Sequence, residues 1–213
     1  MQIVHFGHAC VLLDTGSARL LIDPGTFSTG FESTEGLDAV LITHQHFDHI
    51  DVQRLPALLA ANPGAKLVVD QDTVPTVEPL GLEFTVATPG DELRLGGARV
   101  NVIGGRHANV YGDMPGCTNV GYLVDEGAFL HPGDSLVRPE QEVDVLGLPT
   151  SGPWLKLAEA IDYLREVAPR VAVPIHEALF TEVGLNLAVT MFTNLKQEQS
   201  SVNLLARGEL TKV

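Results

Sequence analysis

The chain is predicted to be an α/β protein in which two β-sheets pack face to face with helices on the outside. Three observations favour this fold class. A β-rich stretch followed by an alternating β/α stretch occurs twice along the chain. The run Leu37–Ile42 is apolar except for Asp38 and is of strand length, which indicates a strand buried on both faces. The 213 residues are enough for one substantial core, so we expect a single domain over residues 1–213.

In the first half, short apolar runs separated by glycine and proline predict a β-meander and then further strands. A helix is expected over Val52–Ala61, with Asp51 as its N-cap. The predicted strands are Gln2–Phe6, Cys10–Asp14, Arg19–Asp23, Leu37–Ile42 and Lys66–Asp70.

The second half repeats this order of elements. Gly96-Gly97 predicts a two-residue hairpin turn. Apolar residues at helical spacing predict a helix over Pro153–Val167, and a second helix is expected over Leu185–Lys196. The predicted strands are Glu83–Ala87, Glu92–Leu95, Arg99–Ile103, Thr118–Asp125, Ala128–His131, Val143–Leu148, Arg170–Ile175 and Val202–Arg207.

Charge and composition narrow the function classes. The formal net charge of −14 disfavours nucleic acid and membranes as partners, because such a surface repels anionic polymers and anionic lipids at long range. No apolar stretch approaches the roughly twenty residues of a membrane span, and no signal-peptide pattern is visible, so a cytoplasmic location is expected. The two cysteines, Cys10 and Cys117, make no disulfide framework, which agrees with a reducing compartment.

The densest chemical signal is the segment THQHFDH at positions 43–49, directly after the predicted buried strand. It holds three histidines and an aspartate, and imidazole with carboxylate is a ligand set for zinc, manganese and iron. Open sheets place their sites at the carboxyl ends of strands. We interpret the segment as a metal cradle. The alternative is a histidine-rich surface turn that binds no ion.

Three further candidate ligands lie just past the ends of other predicted strands. His107 follows Arg99–Ile103, Asp134 follows a Pro-Gly turn, and His176 follows Arg170–Ile175. A single histidine after a strand is usually structural. Three such residues together with the dense cluster predict ligands that converge on one sheet edge.

The chain resembles the metallo-β-lactamase superfamily over nearly its whole length. The opening Phe6-Gly7-His8-Ala9 and the short layout look most like the ascorbate-6-phosphate lactonase-like branch. The resemblance implies a four-layer αβ/βα sandwich of two mixed β-sheets with helices outside and the site at one edge. The residues that carry it are Asp23-Pro24-Gly25, His44-x-His46-x-Asp48-His49, His107, Gly133-Asp134 and His176.

The resemblance implies two divalent ions, with zinc as the expected metal and manganese or iron also compatible with the donors. Oxygen-reducing diiron relatives carry glutamate at the second histidine of the motif, so His46 favours hydrolysis over redox chemistry. The implied ligands are His44, His46 and His107 for the first ion, Asp48, His49 and His176 for the second, and Asp134 as a bridge.

Two ions roughly 3.5–4 Å apart lower the pKa of a shared water towards about 7, so a hydroxide can attack a carbonyl carbon or phosphorus near neutral pH. By the same resemblance, Asp48 is the expected proton acceptor and shuttle. His131 lies three residues before Asp134 and is expected to orient a ligand or the leaving group. The alternative for His131 is a hydrogen-bonded core histidine.

Four residues are predicted to line a substrate pocket. Lys156 is expected to pair with a substrate carboxylate or phosphate, or else to be solvated at the start of a helix. Glu177, next to His176, is expected to be solvated, and the alternative is that its carboxylate tunes the second ion. Cys117 is disfavoured as a nucleophile because no base or cation lies near it in sequence. The pocket residues are His8, Tyr111, Trp154 and Lys156.

These features predict a metal-dependent hydrolase that acts on a small-molecule lactone, ester or phosphate ester. One alternative is a phosphodiesterase for a lipid-like or cyclic substrate. Another is a non-catalytic module that binds metal and a metabolite. The oligomeric state is open, and a homo-oligomer is compatible with the sequence, which carries no recognisable interface motif.

Overall fold

The computed structural model describes residues 1–213 and contains two seven-stranded mixed sheets. The strands in chain order are β1 (Gln2–His5), β2 (Val11–Asp14), β3 (Arg19–Ile22), β4 (Ala39–Leu41), β5 (Lys66–Val69), β6 (Phe84–Val86), β7 (Glu92–Leu95), β8 (Ala98–Gly104), β9 (Val120–Val124), β10 (Phe129–His131), β11 (Val145–Pro149), β12 (Val171–Ile175), β13 (Ser201–Val202) and β14 (Leu210–Lys212). The helices are α1 (Leu55–Ala61), α2 (Val74–Val77), α3 (Leu157–Val167) and α4 (Glu182–Leu195).

Each sheet joins an antiparallel half to a parallel half. The first sheet has the order β14-β1-β2-β3-β4-β5-β6, with antiparallel pairing up to β3 and parallel pairing beyond it. The second has the order β13-β12-β11-β10-β9-β8-β7, and its parallel half runs from β10 to β13. The β-rich and β/α stretches predicted from the sequence correspond to these two halves.

The layers follow from the alternation of side chains along each strand. Ile3, Leu13 and Ile22 face the central core between the two sheets, whereas Val4 and Leu12 on the same strands face the side of α1. The second sheet packs its outer face against α3 and α4. Burial of one such side chain contributes about 1.5–3 kcal/mol. The predicted four-layer sandwich is therefore confirmed.

Helix boundaries differ from the prediction where side chains cap a turn. Asp51 accepts hydrogen bonds from the amides of Gln53 and Arg54, so it caps a turn, and α1 begins only at Leu55. Helix α4 begins at Glu182 because the Thr181 side chain accepts a hydrogen bond from an amide in its first turn. No helix of the chain has the length and apolarity needed to span a bilayer.

The strand directions bring the candidate ligands together. Strands β8, β10 and β12 run in the same direction, so their carboxyl ends meet at one edge of the second sheet. The 43–49 segment follows β4 of the first sheet, and the Thr43 carbonyl accepts a hydrogen bond from the Val120 amide of the second. The candidate site therefore lies where the two sheets meet.

Candidate metal centre

All seven predicted metal ligands come together, and His8 joins them. They form two groups, within each of which the ligand atoms lie within 4.8 Å of one another. The first group is His44, His46, His107 and Asp134, and the second is His8, Asp48, His49 and His176.

Asp134 lies between the two groups. Its Oδ1 is 3.1 Å from His49 Nε2, and its Oδ2 is 3.1 Å from His176 Nε2 and 3.3 Å from His107 Nε2. The indole Nε1 of Trp154 donates a hydrogen bond to Oδ2 at 2.7 Å. Trp154, predicted as a pocket residue, thus fixes the carboxylate that contacts both groups.

Several ligand atoms are buried without a hydrogen-bond partner. They are His49 Nε2, His107 Nε2, His176 Nε2 and Asp134 Oδ1. Their close approaches lack hydrogen-bond geometry, which leaves these atoms free to converge on shared ions. Since an unpaired buried polar group costs about 1–3 kcal/mol, the cluster is incomplete without a ligand. The nitrogen and oxygen donors fit divalent metal ions.

Neighbouring groups hydrogen-bond to Nδ1 of His49 and of His107, which leaves Nε2 of each ring to coordinate a metal ion. Buried Asp23 accepts hydrogen bonds at 2.7 Å from the Thr43 amide and hydroxyl, and its Oδ2 also lies 2.7 Å from His49 Nδ1. His107 Nδ1 donates to the Ala108 carbonyl at 2.6 Å. A proton held on Nδ1 directs the Nε2 lone pair towards the centre.

A close backbone approach shapes the loop that carries Asp48 and His49. The Thr26 amide donates to the Phe47 carbonyl, and the Asp51 amide donates to the Pro24 carbonyl. A Cβ atom on Gly25 would lie 1.8 Å from the Asp48 carbonyl oxygen. Only glycine therefore allows the two loops to pack as they do.

His8 occupies the tight turn between β1 and β2 with φ 53°, and its side chain is fully buried. The Ala178 amide points to its Nδ1 at 3.4 Å, so its Nε2 donates to Asp48 Oδ2 at 3.0 Å. The His8 carbonyl accepts a hydrogen bond from the His176 amide at 2.8 Å. The structure therefore places His8 beside the second group, where it donates a hydrogen bond to the candidate ligand Asp48.

Glu177 supports this turn, and the expectation that it is solvated is wrong. Its side chain is only 3% exposed. Its Oε1 accepts hydrogen bonds from the His8 amide at 3.1 Å and from Arg207 at 2.8 Å. The buried charge is paired, which is the condition for burying a carboxylate.

The environment sets the charge of each candidate ligand. Burial opposes ionisation of Asp48, but the hydrogen bond from His8 and the charge of His49 prevail and lower its pKa to about 2. Burial and the neighbouring His49 hold the pKa of His44 well below its usual value. Burial also disfavours the charged form of His49, yet Asp134 and Asp23 outweigh this and raise its pKa well above the usual value.

The remaining predicted residues lie apart from the ligands. His131 is fully buried, its Nε2 donates to the Ala9 carbonyl at 2.8 Å, and its Nδ1 accepts from the Gly133 amide at 3.2 Å. Both ring nitrogens are thus occupied by backbone, which does not fit the predicted catalytic role. Lys156 is 83% exposed and pairs with Glu159, and Tyr111 is 78% exposed.

A cavity of about 560 Å³ opens beside the first group of ligands and includes residues that the sequence did not single out. Its lining includes His46, His107, Arg106 and Met114. Cys117 also lines it, but burial and the nearby Asp70 and Asp72 carboxylates raise the pKa of this thiol to about 11. A thiolate is therefore scarce near neutral pH, in line with the sequence-based expectation.

The fold and the two-group site define a class of proteins with a metal centre at the edge of an αβ/βα sandwich. The model of the beta-lactamase superfamily domain matches residues 2–176, and the chain belongs to this family. The predicted superfamily is therefore confirmed, whereas the narrower lactonase-like branch stays a prediction.

Two relatives in sequence illustrate this membership, and one solved structure shares the fold. Protein Rv0786c of Mycobacterium tuberculosis is 50% identical over 183 residues, covering 84% of this chain and 85% of that protein. A UPF0173 metal-dependent hydrolase of Pyrobaculum arsenaticum is 31% identical and covers 84% and 85%. The structure of Igni18, a novel metallo hydrolase from Ignicoccus hospitalis, superposes with a TM-score of 0.77 at 18% identity, covering 99% and 97%.

Proposed function

We propose that this protein is a metal-dependent hydrolase that acts on a small-molecule lactone, ester or phosphate ester. It holds two divalent ions, and zinc is the expected metal. The observation that carries the proposal is the complete ligand set with Asp134 in contact with both groups and with buried donor atoms left unpaired. A relative named as a metal-dependent hydrolase, similar over 84% of the chain, supports the same reaction class.

Bound divalent ions would supply an activated water near neutral pH and polarise the scissile group. The protein's own residues would accept the proton of the water and orient the carboxylate between the two groups. Asp48 is ionised, and its Oδ2 lies 3.6 Å from His176 Nε2 and 3.0 Å from His8 Nε2. This carboxylate is available to accept the proton of the attacking water. Trp154 keeps Asp134 oriented between the two groups.

The size of the cavity and the net charge of the whole chain favour a small-molecule partner. A cavity of about 560 Å³ suits a compact substrate. The net charge of −14 disfavours nucleic acid and anionic membranes at long range. A single domain and a homo-oligomeric state are both compatible with this proposal, and gel filtration with light scattering tests the latter.

The first test is metal content by elemental analysis, followed by turnover of para-nitrophenyl acetate, γ-valerolactone and bis-para-nitrophenyl phosphate. About two zinc or manganese ions per chain and metal-dependent turnover are expected. Asp48→Asn should lower kcat by about a hundredfold or more through loss of the proton acceptor. The exposed Asp162 provides the matched control, because Asp162→Asn removes the same charge far from the ligands.

Three results would count against the proposal. Failure of the chain to take up zinc or manganese would contradict the proposed metal centre. Two iron ions with oxygen-dependent chemistry would replace hydrolysis by redox catalysis. Full turnover by Asp48→Asn that retains both metals would remove the role of Asp48.

A further inference from the structure

The cavity beside the first ligand group contains one permanently charged cation. Arg106 lines it together with the ligands His46 and His107, and no lysine or carboxylate shares this lining. The apolar part of the cavity lining includes Val110 and Met114, which are 42% and 56% exposed. The cavity therefore offers one guanidinium and an apolar surface next to the metal centre.

Arg106 is also the one arginine of the chain without an acceptor. Arg165 donates to the Leu195 carbonyl. The others pair with carboxylates, and they are Arg19, Arg54, Arg94, Arg99, Arg138, Arg170 and Arg207. The chain has 27 acidic residues and 13 basic ones, so an arginine without a carboxylate partner is unusual in it. Arg106 is that arginine, and it lines the cavity.

The backbone next to Arg106 is held in place relative to the candidate metal centre. Arg106 immediately precedes His107, whose amide donates to the Cys117 carbonyl at 3.1 Å. The next amide, that of Ala108, donates to the Asp134 carbonyl at 2.8 Å. The backbone that carries the cation is therefore tied to two candidate ligands.

We infer that Arg106 binds an anionic oxygen group of the substrate, a carboxylate or a phosphate, while the scissile group lies at the metal centre. This inference rests on the proposed hydrolase function and names its substrate class. A guanidinium presents parallel N–H donors that match either anion in a bidentate geometry. Lys156, for which the sequence left this part or a solvated position open, pairs with Glu159 and does not line this cavity.

The test compares three lactones on the metal-loaded full chain. They are γ-valerolactone, the same ring bearing a carboxylate in place of its methyl group, and the ring bearing a phosphomonoester on that methyl group. Turnover is followed with a pH indicator. The wild-type protein should show a lower KM for at least one anionic lactone than for the neutral one. The anionic group that lowers KM more, carboxylate or phosphomonoester, is the one that Arg106 prefers to bind.

Substitution of Arg106 gives the decisive comparison. Arg106→Gln should raise the KM of the preferred anionic lactone about tenfold while that of the neutral lactone stays within about twofold. Arg106→Lys should retain part of the preference, because it keeps the charge and loses the bidentate geometry. Arg94→Gln is the matched control, since it removes the same charge from an exposed strand and should change no KM.

A second readout separates this inference from the proposed function. Phenylglyoxal labels accessible arginines, and Arg106 should be protected by inorganic phosphate or succinate, as seen by peptide mass analysis, while Arg94 is not. If no lactone or ester is turned over, the hydrolase proposal fails. Protection of Arg106 from phenylglyoxal by phosphate or succinate then still shows whether Arg106 binds an anion. Equal effects of Arg106→Gln on all three lactones, or no effect on any, would overturn the inference, as would unprotected Arg106.

Discussion

His8 connects two ligands of the second group through separate atoms. Its ring donates to Asp48, and its carbonyl accepts from the His176 amide. A non-glycine residue at φ 53° is uncommon, and the surrounding contacts hold it there. The turn therefore couples the placement of Asp48 to that of His176, and His8 acts as a positioning residue.

His8→Asn provides a test of this coupling. Asparagine tolerates the left-handed backbone, so the turn is kept, but its side chain is too short to reach Asp48. We expect the second ion to bind about 10–100-fold more weakly and the first to bind as in the wild type. Metal titration followed by equilibrium dialysis measures both affinities. Unchanged binding of both ions would show that Asp48 needs no support from His8.

The raised pKa of His49 gives a pH prediction for metal uptake. Without metal, His49 keeps its proton in the window between the ordinary histidine value and its own raised value, whereas His44, with a lowered pKa, is already neutral there. Metal binding requires a neutral ring, so uptake should release about one proton from His49 and weaken as the pH falls. Calorimetry in two buffers of different ionisation enthalpy measures this release. Uptake without proton release would contradict the assignment.

The clustering of the candidate ligands was predictable from the sequence because metal chemistry restricts residue type and spacing. His44, His46 and Asp48 could be identified from the spacing of residues within one short segment. The other contacts depend on segments that are distant in sequence. Glu177 is buried because Arg207, thirty residues later, pairs with it, and Arg106 stands out only once the other arginines are seen to be paired. No local pattern carries that information.

Among the elements, the loops after β3 and β4 depend on one close contact at Gly25. Gly25→Ala should push the Asp48–His49 backbone away, because the new methyl group has no room beside a carbonyl oxygen at 1.8 Å. We expect a loss of about 1–3 kcal/mol in unfolding free energy together with weaker metal binding. Urea unfolding of the metal-free protein and metal titration measure the two effects.

Gly64→Ala is the control for this substitution. Gly64 is exposed, and a Cβ atom there would meet nothing within 4 Å. Wild-type metal affinity in Gly64→Ala combined with a loss in Gly25→Ala would assign the effect to the close contact. Equal behaviour of the two variants would mean that the loops can separate without harm to the site.

The strands were predictable wherever an apolar run enters the core, as in Leu37–Ile42. Elements at the edges were missed. Strand β14 (Leu210–Lys212) is mostly exposed and exists through its pairing with β1, and α2 (Val74–Val77) is a single turn containing a proline. The predicted strand Val202–Arg207 ends after Val202, because the chain then turns away towards His5. Tertiary pairing, which leaves no local pattern, decides such segments.

At the scale of the whole molecule, the candidate metal centre lies where the two sheets meet. Four of the predicted ligands follow β4 of the first sheet, and the other three follow strands of the second. In the metal-free protein, several donor atoms at this edge are buried without a hydrogen-bond partner. Metal binding should therefore stabilise the native state as a unit and not only the loops.

Removal of the metal with a chelator should consequently lower the unfolding temperature, and added zinc should restore it. At a free metal concentration about 100-fold above Kd, binding adds about 2.7 kcal/mol, which corresponds to roughly 5–10 °C for a chain of this size. Asp134→Asn, which weakens the contact shared by both ligand groups, should lose most of this shift. Differential scanning calorimetry with and without zinc measures it. An unfolding temperature independent of bound metal would mean that central packing alone, from residues such as Ile3 and Tyr122, determines how the sheets associate.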